Sequence, residues 1–470
     1  MVNKCLNISL MLLYVITLAI YTNFVSVIDM TTMQAMGIFG VILALLCAYT
    51  WKREGKDLIS PYFFFVVTLF IFLYGQSLLY AINIISDDRH LIGFQGISIY
   101  QVYRAQKTTL IMLAAFHIGA LCVKNKTLVT ADYKEKNICL REQQLQLIKK
   151  IGIFLFLISG YFYLHTLVAN MILSIKFGYG ALYDGEGAVG VAQTGRYLGD
   201  YFLPSIICLF IAYQNNKRKI KAIYGLCSLI IIAILLTGGR TYAVILILML
   251  VLLRHYVIKR FSNREMIGLC VAGLFLLSVL AVVGKVRTSD NRSLESYTTT
   301  NDNNNAAVEA IAEMGSTMFC LIETQLLVPS TEDYRYGRSY LYSFTSLIPN
   351  LGFWEMHPAR IEANLSDWLT DKLHLSYGTG FSMCAEAYAN FGSYGWIMMF
   401  LLGLMLRKML DSIDVNDPQR DLPLLVFSFI MFWFCLKMPR NCFLSTVRAF
   451  FYYALPVYLY LNIKIRQYIK

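Results

Sequence analysis

IYGLCSLIIIAILLTGGRTYAVILILMLVLL, residues 223–253, holds two apolar runs separated by a short polar turn whose one charge is Arg240. Each run approaches the length a helix needs to cross roughly 30 Å of hydrocarbon. Neither shows the in/out alternation of a strand in a membrane barrel. The stretch therefore reads as two antiparallel membrane helices joined by a glycine turn. Similar runs recur along the whole 470-residue chain, which is 57% hydrophobic, 14% aromatic and only 15% charged. The fold expected is an all-α polytopic membrane protein.

Hydrophobic segments near 6–27, 35–51, 60–82, 108–123, 151–174, 199–213, 222–237, 241–253, 265–284, 380–406, 421–438 and 447–463 give about twelve transmembrane helices. With the N-terminus in the cytoplasm, the short cytoplasmic segments hold most of the 41 lysines and arginines. The positive-inside rule then places both termini in the cytoplasm. The net charge of +12 is accounted for as a topology signal, and no nucleic-acid partner is expected. The first apolar run lacks a small-residue cleavage motif and reads as an uncleaved helix. The 11 cysteines are scattered, without a C-x-x-C pair or a histidine at ligand spacing, so no metal site is expected. Cys320 and Cys442 fall on the external side, and their pairing is left open.

The external segments are unequal. Those at 28–34 and 439–446 are short, 83–107 and 175–198 are moderate, and 285–379 is far longer than an ordinary connection. The chain divides accordingly into helices 1–9 (residues 1–284), a large periplasmic loop with amphipathic helices (285–379), and helices 10–12 (380–470). Within the loop, 306–327 places Val308, Ile311, Gly315, Met318, Phe319 and Ile322 at helical spacing. That pattern predicts a helix lying on the membrane surface or covering a cavity.

An ionisable residue at membrane depth is costly unless it faces a cavity or a partner, so its presence points to function. Arg240 follows Gly238 and Gly239, a turn expected to leave backbone N–H groups open to an anion. The planar guanidinium suits phosphate, whereas the plain alternative is a hairpin arginine reaching lipid headgroups. Further external arginines are Arg196, Arg287, Arg338, Arg360, Arg440 and Arg448, against the usual bias. A diphosphate facing several of them explains that excess, and solvation explains it more simply for any one. Glu386 enters the next apolar run as a base, as an arginine-orienting carboxylate, or as a plain helix-start charge. His357 is a second possible base and, as a lone loop histidine, equally a surface residue. The glycine-rich 178–190 lacks the phosphate-loop pattern, and its Tyr179 and Tyr183 suit sugar stacking or the interfacial aromatic belt. No Walker motif and no D-x-D pair is present, which disfavours ATP-driven transport and metal-dependent nucleotide-sugar transfer.

LLTGGRTYAVILIL, GRSYLYSFTSLIPN and GTGFSMCAEAYANFGSYGWIMMFLLGL together resemble the O-antigen polymerase family, the Wzy-type oligosaccharide repeat-unit polymerases. The resemblance covers roughly 150–410. It implies a GT-C-like helical fold of ligase or polymerase type in the bacterial inner membrane, with a periplasmic active site. It implies a glycosyltransferase that joins undecaprenyl-pyrophosphate-linked repeat units without a cofactor. It also implies contact with membrane lipids, a chain-length regulator and a flippase. By the same resemblance, the glycine turn contributes Gly238, Gly239, Arg240 and Thr241, the G-R-S segment Arg338, and the E-A-Y-x-N-F-G stretch Glu386, Tyr388, Asn390 and Gly392. Where relatives often carry Lys-Pro this chain has His357-Pro358, so that cationic role passes to His357 or Arg360. The expected catalytic set is Arg240, Glu386 and His357. The expected substrate-binding set is Gly238, Gly239, Thr241, Arg287, Arg338, Arg360, Tyr388, Asn390, Tyr179 and Tyr183. Two rivals share the architecture: a lipid-linked oligosaccharide flippase, which needs no large outer loop, and an O-antigen ligase, whose H-[NSQ]-x-x-L loop motif is not found at HLIGF, HPARI or HLSYG.

Overall fold

The computed structural model describes residues 2–84, 97–123, 136–177, 197–276 apart from 263, 270 and 274, 306–411 apart from 351, 376 and 377, and 421–469. Among these residues every regular element is helical and no strand occurs. Among the described residues nine helices are long and apolar enough to cross a membrane, which makes the chain a polytopic α-helical membrane protein. They match nine of the expected spans. The segment expected at 199–213 is the shorter apolar helix Tyr197–Ala212. That expected at 447–463 is divided among Phe443–Arg448, a π-helix at Ala449–Ala454 and Leu455–Ile469. The one expected at 265–284 lies mostly outside the described residues.

Two compact units are present. The first comprises Met1–Asn125, Ile311–Ser412 and Phe434–Ala449. Its helices start where sequence chemistry provides a cap. Asp29 accepts from the Thr32 N–H, Ser60 precedes Pro61 and accepts from Phe63, and Ser98 forms a reciprocal capping box with Gln101. Helix Ile99–Cys122 packs along Gly395–Leu410, and glycine sets how closely. A Cβ at Gly119 would overlap the Phe400 carbonyl, and one at Gly403 the Phe116 carbonyl. The two backbones thus touch directly, as small residues allow between membrane helices. Beside these glycines, the buried Arg407 donates to the Ala120 carbonyl and lies over Trp51. His117 sits between Thr50 Oγ1 and Tyr62 Oη at 2.8 and 3.0 Å, and Lys56 pairs with Asp411 at 2.9 Å. These polar groups meet one another instead of lipid.

Two expectations are corrected here. The fourth span begins at Ile99, nine residues before the apolar run at 108, because the Ser98 cap starts the helix ahead of its polar turns. The predicted 306–327 helix is two helices, Ala306–Gly315 and Met318–Leu327. Neither simply lies on a surface. Gly315 packs with its Cα directly against Gly75, and Met318–Leu327 is lodged against Met383–Phe391, Ile99–Cys122 and Pro61–Ala81.

The second unit comprises Lys126–Ala310, Ile413–Trp433 and Phe450–Lys470. Its long helix Lys136–Phe177 packs on Phe202–Ala212 and Lys217–Leu236. Tyr163 stacks on Phe202 with ring centroids 4.4 Å apart. Lys217–Leu236 in turn carries the glycine turn and helix Arg240–Leu253.

Candidate active site

The turn at 237–240 ends one helix and starts the next. Gly238 has φ +84°, and its N–H donates to Leu235 O at 2.9 Å while the Gly239 N–H donates to Ile234 O at 3.1 Å. This is the Schellman arrangement, in which glycine adopts the left-handed conformation and orphan helix carbonyls are satisfied. The expectation that these two amides stand open to an anion is therefore corrected: both are spent on the preceding helix. Gly239 then serves as the N-cap of Arg240–Leu253 with no side-chain cap, leaving that helix start uncapped by any hydroxyl or carboxylate. Arg240 and Thr241 are half-buried in its first turn. Ser174 Oγ donates to Thr237 O and ties the turn to Lys136–Phe177.

In the first unit, Glu386, Asn390 and Arg338 are brought together. Ser382 caps helix Met383–Phe391, whose residues through Asn390 are all buried. Glu386 is 1% exposed. Its Oε1 accepts from Ser339 Oγ and its Oε2 from the Phe443 N–H, both at 2.7 Å. Asn390 Nδ2 donates to Ser339 Oγ at 2.8 Å and to the Glu386 carbonyl at 2.7 Å. Asn390 Oδ1 accepts from the Gly337 N–H at 2.9 Å. The last helix carbonyls, Ala389 and Asn390, accept from the Arg335 and Tyr336 N–H groups at 3.0 Å, which satisfies a terminus that would otherwise be buried unpaired.

The consequence falls on Arg338. The E-A-Y-A-N residues grip the G-R-S segment on both sides, Gly337 through Asn390 and Ser339 through Glu386, and the arginine between them is exposed. Gly337, with φ +86°, makes the left-handed step into helix Arg338–Ser343. That helix packs on Phe443–Arg448 and on the π-helix Ala359–Ala363, which carries Arg360, also exposed. Arg335 takes a different place: its Nη1 meets Glu362 Oε2 at 3.3 Å and its guanidinium lies over Trp368.

His357 lies in the same layer with both ring nitrogens engaged. Nδ1 accepts from the Ala359 N–H at 3.1 Å, which leaves the proton on Nε2 to be donated to Ile348 O at 2.9 Å. Trp354 packs edge-on against the ring, with centroids 5.1 Å apart. Glu386 likewise has each oxygen occupied by a protein donor, and neither by an arginine side chain. Both residues hold backbone in place. Cys320 and Cys442 are free and buried. Among the described residues no group of histidines, cysteines and carboxylates is arranged to hold a metal.

Sequence reasoning missed Arg104. Its Nη2 donates to Tyr388 Oη at 2.6 Å. The signal was available: S-I-Y-Q at 98–101 is a capping-box pattern, and it starts a helix that carries the arginine. Tyr179, Tyr183 and Arg287 lie outside the described residues.

Fold and site together define a polytopic helical membrane protein that displays arginines on a braced layer of short helices. The chain matches the O-antigen polysaccharide polymerase Wzy family over residues 5–470 and belongs to it. That membership supports an O-antigen polymerase role, a glycosyltransferase-type activity on a lipid-linked oligosaccharide in a membrane. Neither a curated protein nor a solved structure matches the chain.

Proposed function

We propose that this chain joins undecaprenyl-pyrophosphate-linked repeat units at the periplasmic face of the bacterial inner membrane, moving the growing glycan from its carrier onto a newly delivered unit. The acceptor hydroxyl oxygen attacks the anomeric carbon. The bond from that carbon to the pyrophosphate oxygen breaks with its electron pair on the leaving group, and the hydroxyl proton passes to solvent. The transition state needs positive charge at the departing oxygen, which fixed arginines supply without a metal. Arg338 with Arg360 fills that role in this reading, and Arg240, at its own glycine turn, is a separate candidate cation for the same substrate. Glu386 and His357 orient the arginine-bearing layer instead of removing a proton.

The observation that carries the reading is the grip of Asn390 and Glu386 on the residues flanking Arg338. Buried hydrogen-bonded groups spent on holding one exposed cation are preorganisation for an anion. The remaining parts of the proposal are twelve spans, both termini cytoplasmic, a periplasmic 285–379 segment, and association with a chain-length regulator and a flippase.

The test is complementation of cells lacking their polymerase, scored on lipopolysaccharide gels. The wild-type chain restores the long-chain ladder, while Arg240→Ala and Arg338→Ala leave a single repeat unit on the lipid core. A full ladder from both variants overturns the arginine mechanism. No ladder from the wild-type chain overturns the polymerase reading.

A further inference from the structure

Two cations near the start of helix Ile99–Cys122 have no part in the mechanism above. Arg104 and Lys107 stand three residues apart and share one helix face. The helix carries no aspartate or glutamate. Arg104 is exposed, and its contacts are all neutral: Tyr388 Oη at 2.6 Å, the Gln325 carbonyl at 3.4 Å, and the Tyr388 ring beneath the guanidinium at 5.9 Å. Gln325 is held in turn, its Nε2 donating to Thr108 Oγ1 at 2.9 Å on the same helix. Lys107, half-exposed, has no hydrogen bond or ion pair among the described residues.

Two neighbouring positive charges that no carboxylate neutralises among the described residues raise the local positive potential and favour an anion there. A guanidinium has five donors, and here two contacts fix its plane while the rest stay unused by the described protein. A fixed fork beside a mobile ammonium suits the bridging and terminal oxygens of a phosphate group. Tyr388 connects this face to the braced site, because it lies on the Glu386 helix between Glu386 and Asn390.

We propose that Arg104 and Lys107 form a phosphate-binding site for the diphosphate of the lipid-linked substrate, with Tyr388 holding the Arg104 guanidinium in position. The assignment rests on the polymerase reading for its ligand, and deepens it by naming cations that neither the G-G-R nor the G-R-S motif contains.

The test uses the full chain in phosphatidylcholine nanodiscs with undecaprenyl diphosphate as the probe. Arg104→Gln and Lys107→Gln each weaken binding by about tenfold or more, as loss of a charge-assisted contact to phosphate does, and Arg104→Lys falls between them and the wild type. Lys107→Gln breaks no hydrogen bond or ion pair among the described residues, and an unchanged melting temperature for this variant separates lost binding from misfolding. Phosphatidylglycerol added to the discs leaves probe binding unchanged. Wild-type affinity in both glutamine variants overturns the site, and displacement of the probe by phosphatidylglycerol overturns its assignment to the carrier. Polymer assays separate the two readings. If the wild-type chain restores no ladder but the binding losses stand, the polymerase reading fails and the site survives. If it restores the ladder and both variants bind and polymerise as the wild type does, the site alone fails.

Discussion

Arg338 is exposed while its two neighbours are tied down, so its side chain and its supports are separable by mutation. Arg338→Ala removes an exposed side chain and leaves the brace intact: protein level and melting temperature stay at wild type while polymer is lost. Glu386→Ala leaves Ser339 Oγ and the Phe443 N–H without their acceptor in a buried site, costing about 1–3 kcal/mol for each unsatisfied group. It therefore lowers both the melting temperature and the yield. Glu386→Gln keeps an acceptor for one donor and turns an amide N–H toward the other, so it falls between. Equal melting temperatures for Glu386→Ala and the wild type would show that the carboxylate is no brace. A second expectation concerns thiols. Burial pushes Cys320 up to about 12 and Cys442 well above the ordinary thiol range. A thiol whose folded pKa exceeds the unfolded value of about 8.5 contributes stability that is complete below that value and is lost as pH rises from there through the folded pKa. Both cysteines should resist maleimide at pH 7 in the folded protein and react on unfolding. The motifs were legible in the sequence as motifs. That Glu386 meets Ser339 was not, because the two lie 47 residues apart and no local pattern encodes the contact.

At the level of helices, backbone contact is the limiting quantity. Gly119 and Gly403 face carbonyl oxygens of the opposing helix, which cannot rotate away as a side chain can. Gly403→Ala forces Ile99–Cys122 and Gly395–Leu410 apart, an overpacking cost of about 1–3 kcal/mol. The expected result is a lower melting temperature in detergent, with Gly225→Ala, where a Cβ meets nothing within 4 Å, as the unaffected control. The apolar run entered at 380 was readable as one span, yet it is broken at Gly392, with φ +55°, between Met383–Phe391 and Gly395–Leu410. A Cβ there would press on the Tyr334 ring at 2.8 Å, so both the conformation and the space require glycine. Hydropathy reads through such a break because flanking residues are apolar on either side. The opposite failure occurred at Ile99, where Gln101, Arg104, Gln106 and Lys107 made helical turns look like loop. Inside the structure Gln106 donates to Ser77 Oγ at 2.8 Å, a partner that composition does not reveal.

For the molecule as a whole, charge asymmetry and apolar periodicity carried the class of fold, since both are summed over many residues and tolerate local error. They did not reveal the two-unit organisation, in which residues from both ends of the chain and from the long 285–379 segment contribute to one compact body. That grouping depends on contacts between segments hundreds of residues apart. It also bears on topology. Met318–Leu327 packs against Pro61–Ala81, Ile99–Cys122 and Met383–Phe391, so a topology map must account for a segment that touches membrane helices without being one. Under the proposed arrangement, alkaline phosphatase fused after residue 295 is active, and the same enzyme fused after residue 130 is inactive. A fluorescent protein that folds only in the cytoplasm lights up when fused after Lys470. The basic residues between Lys124 and Lys150 make the 130 fusion the decisive one, because they are the largest block holding that segment inside. Replacing Lys124 and Lys126, which such a fusion retains, with glutamine should raise phosphatase activity there several-fold. Activity at 130 in the unaltered chain would reverse the proposed orientation and move Arg338 to the cytoplasmic face, away from any periplasmic substrate.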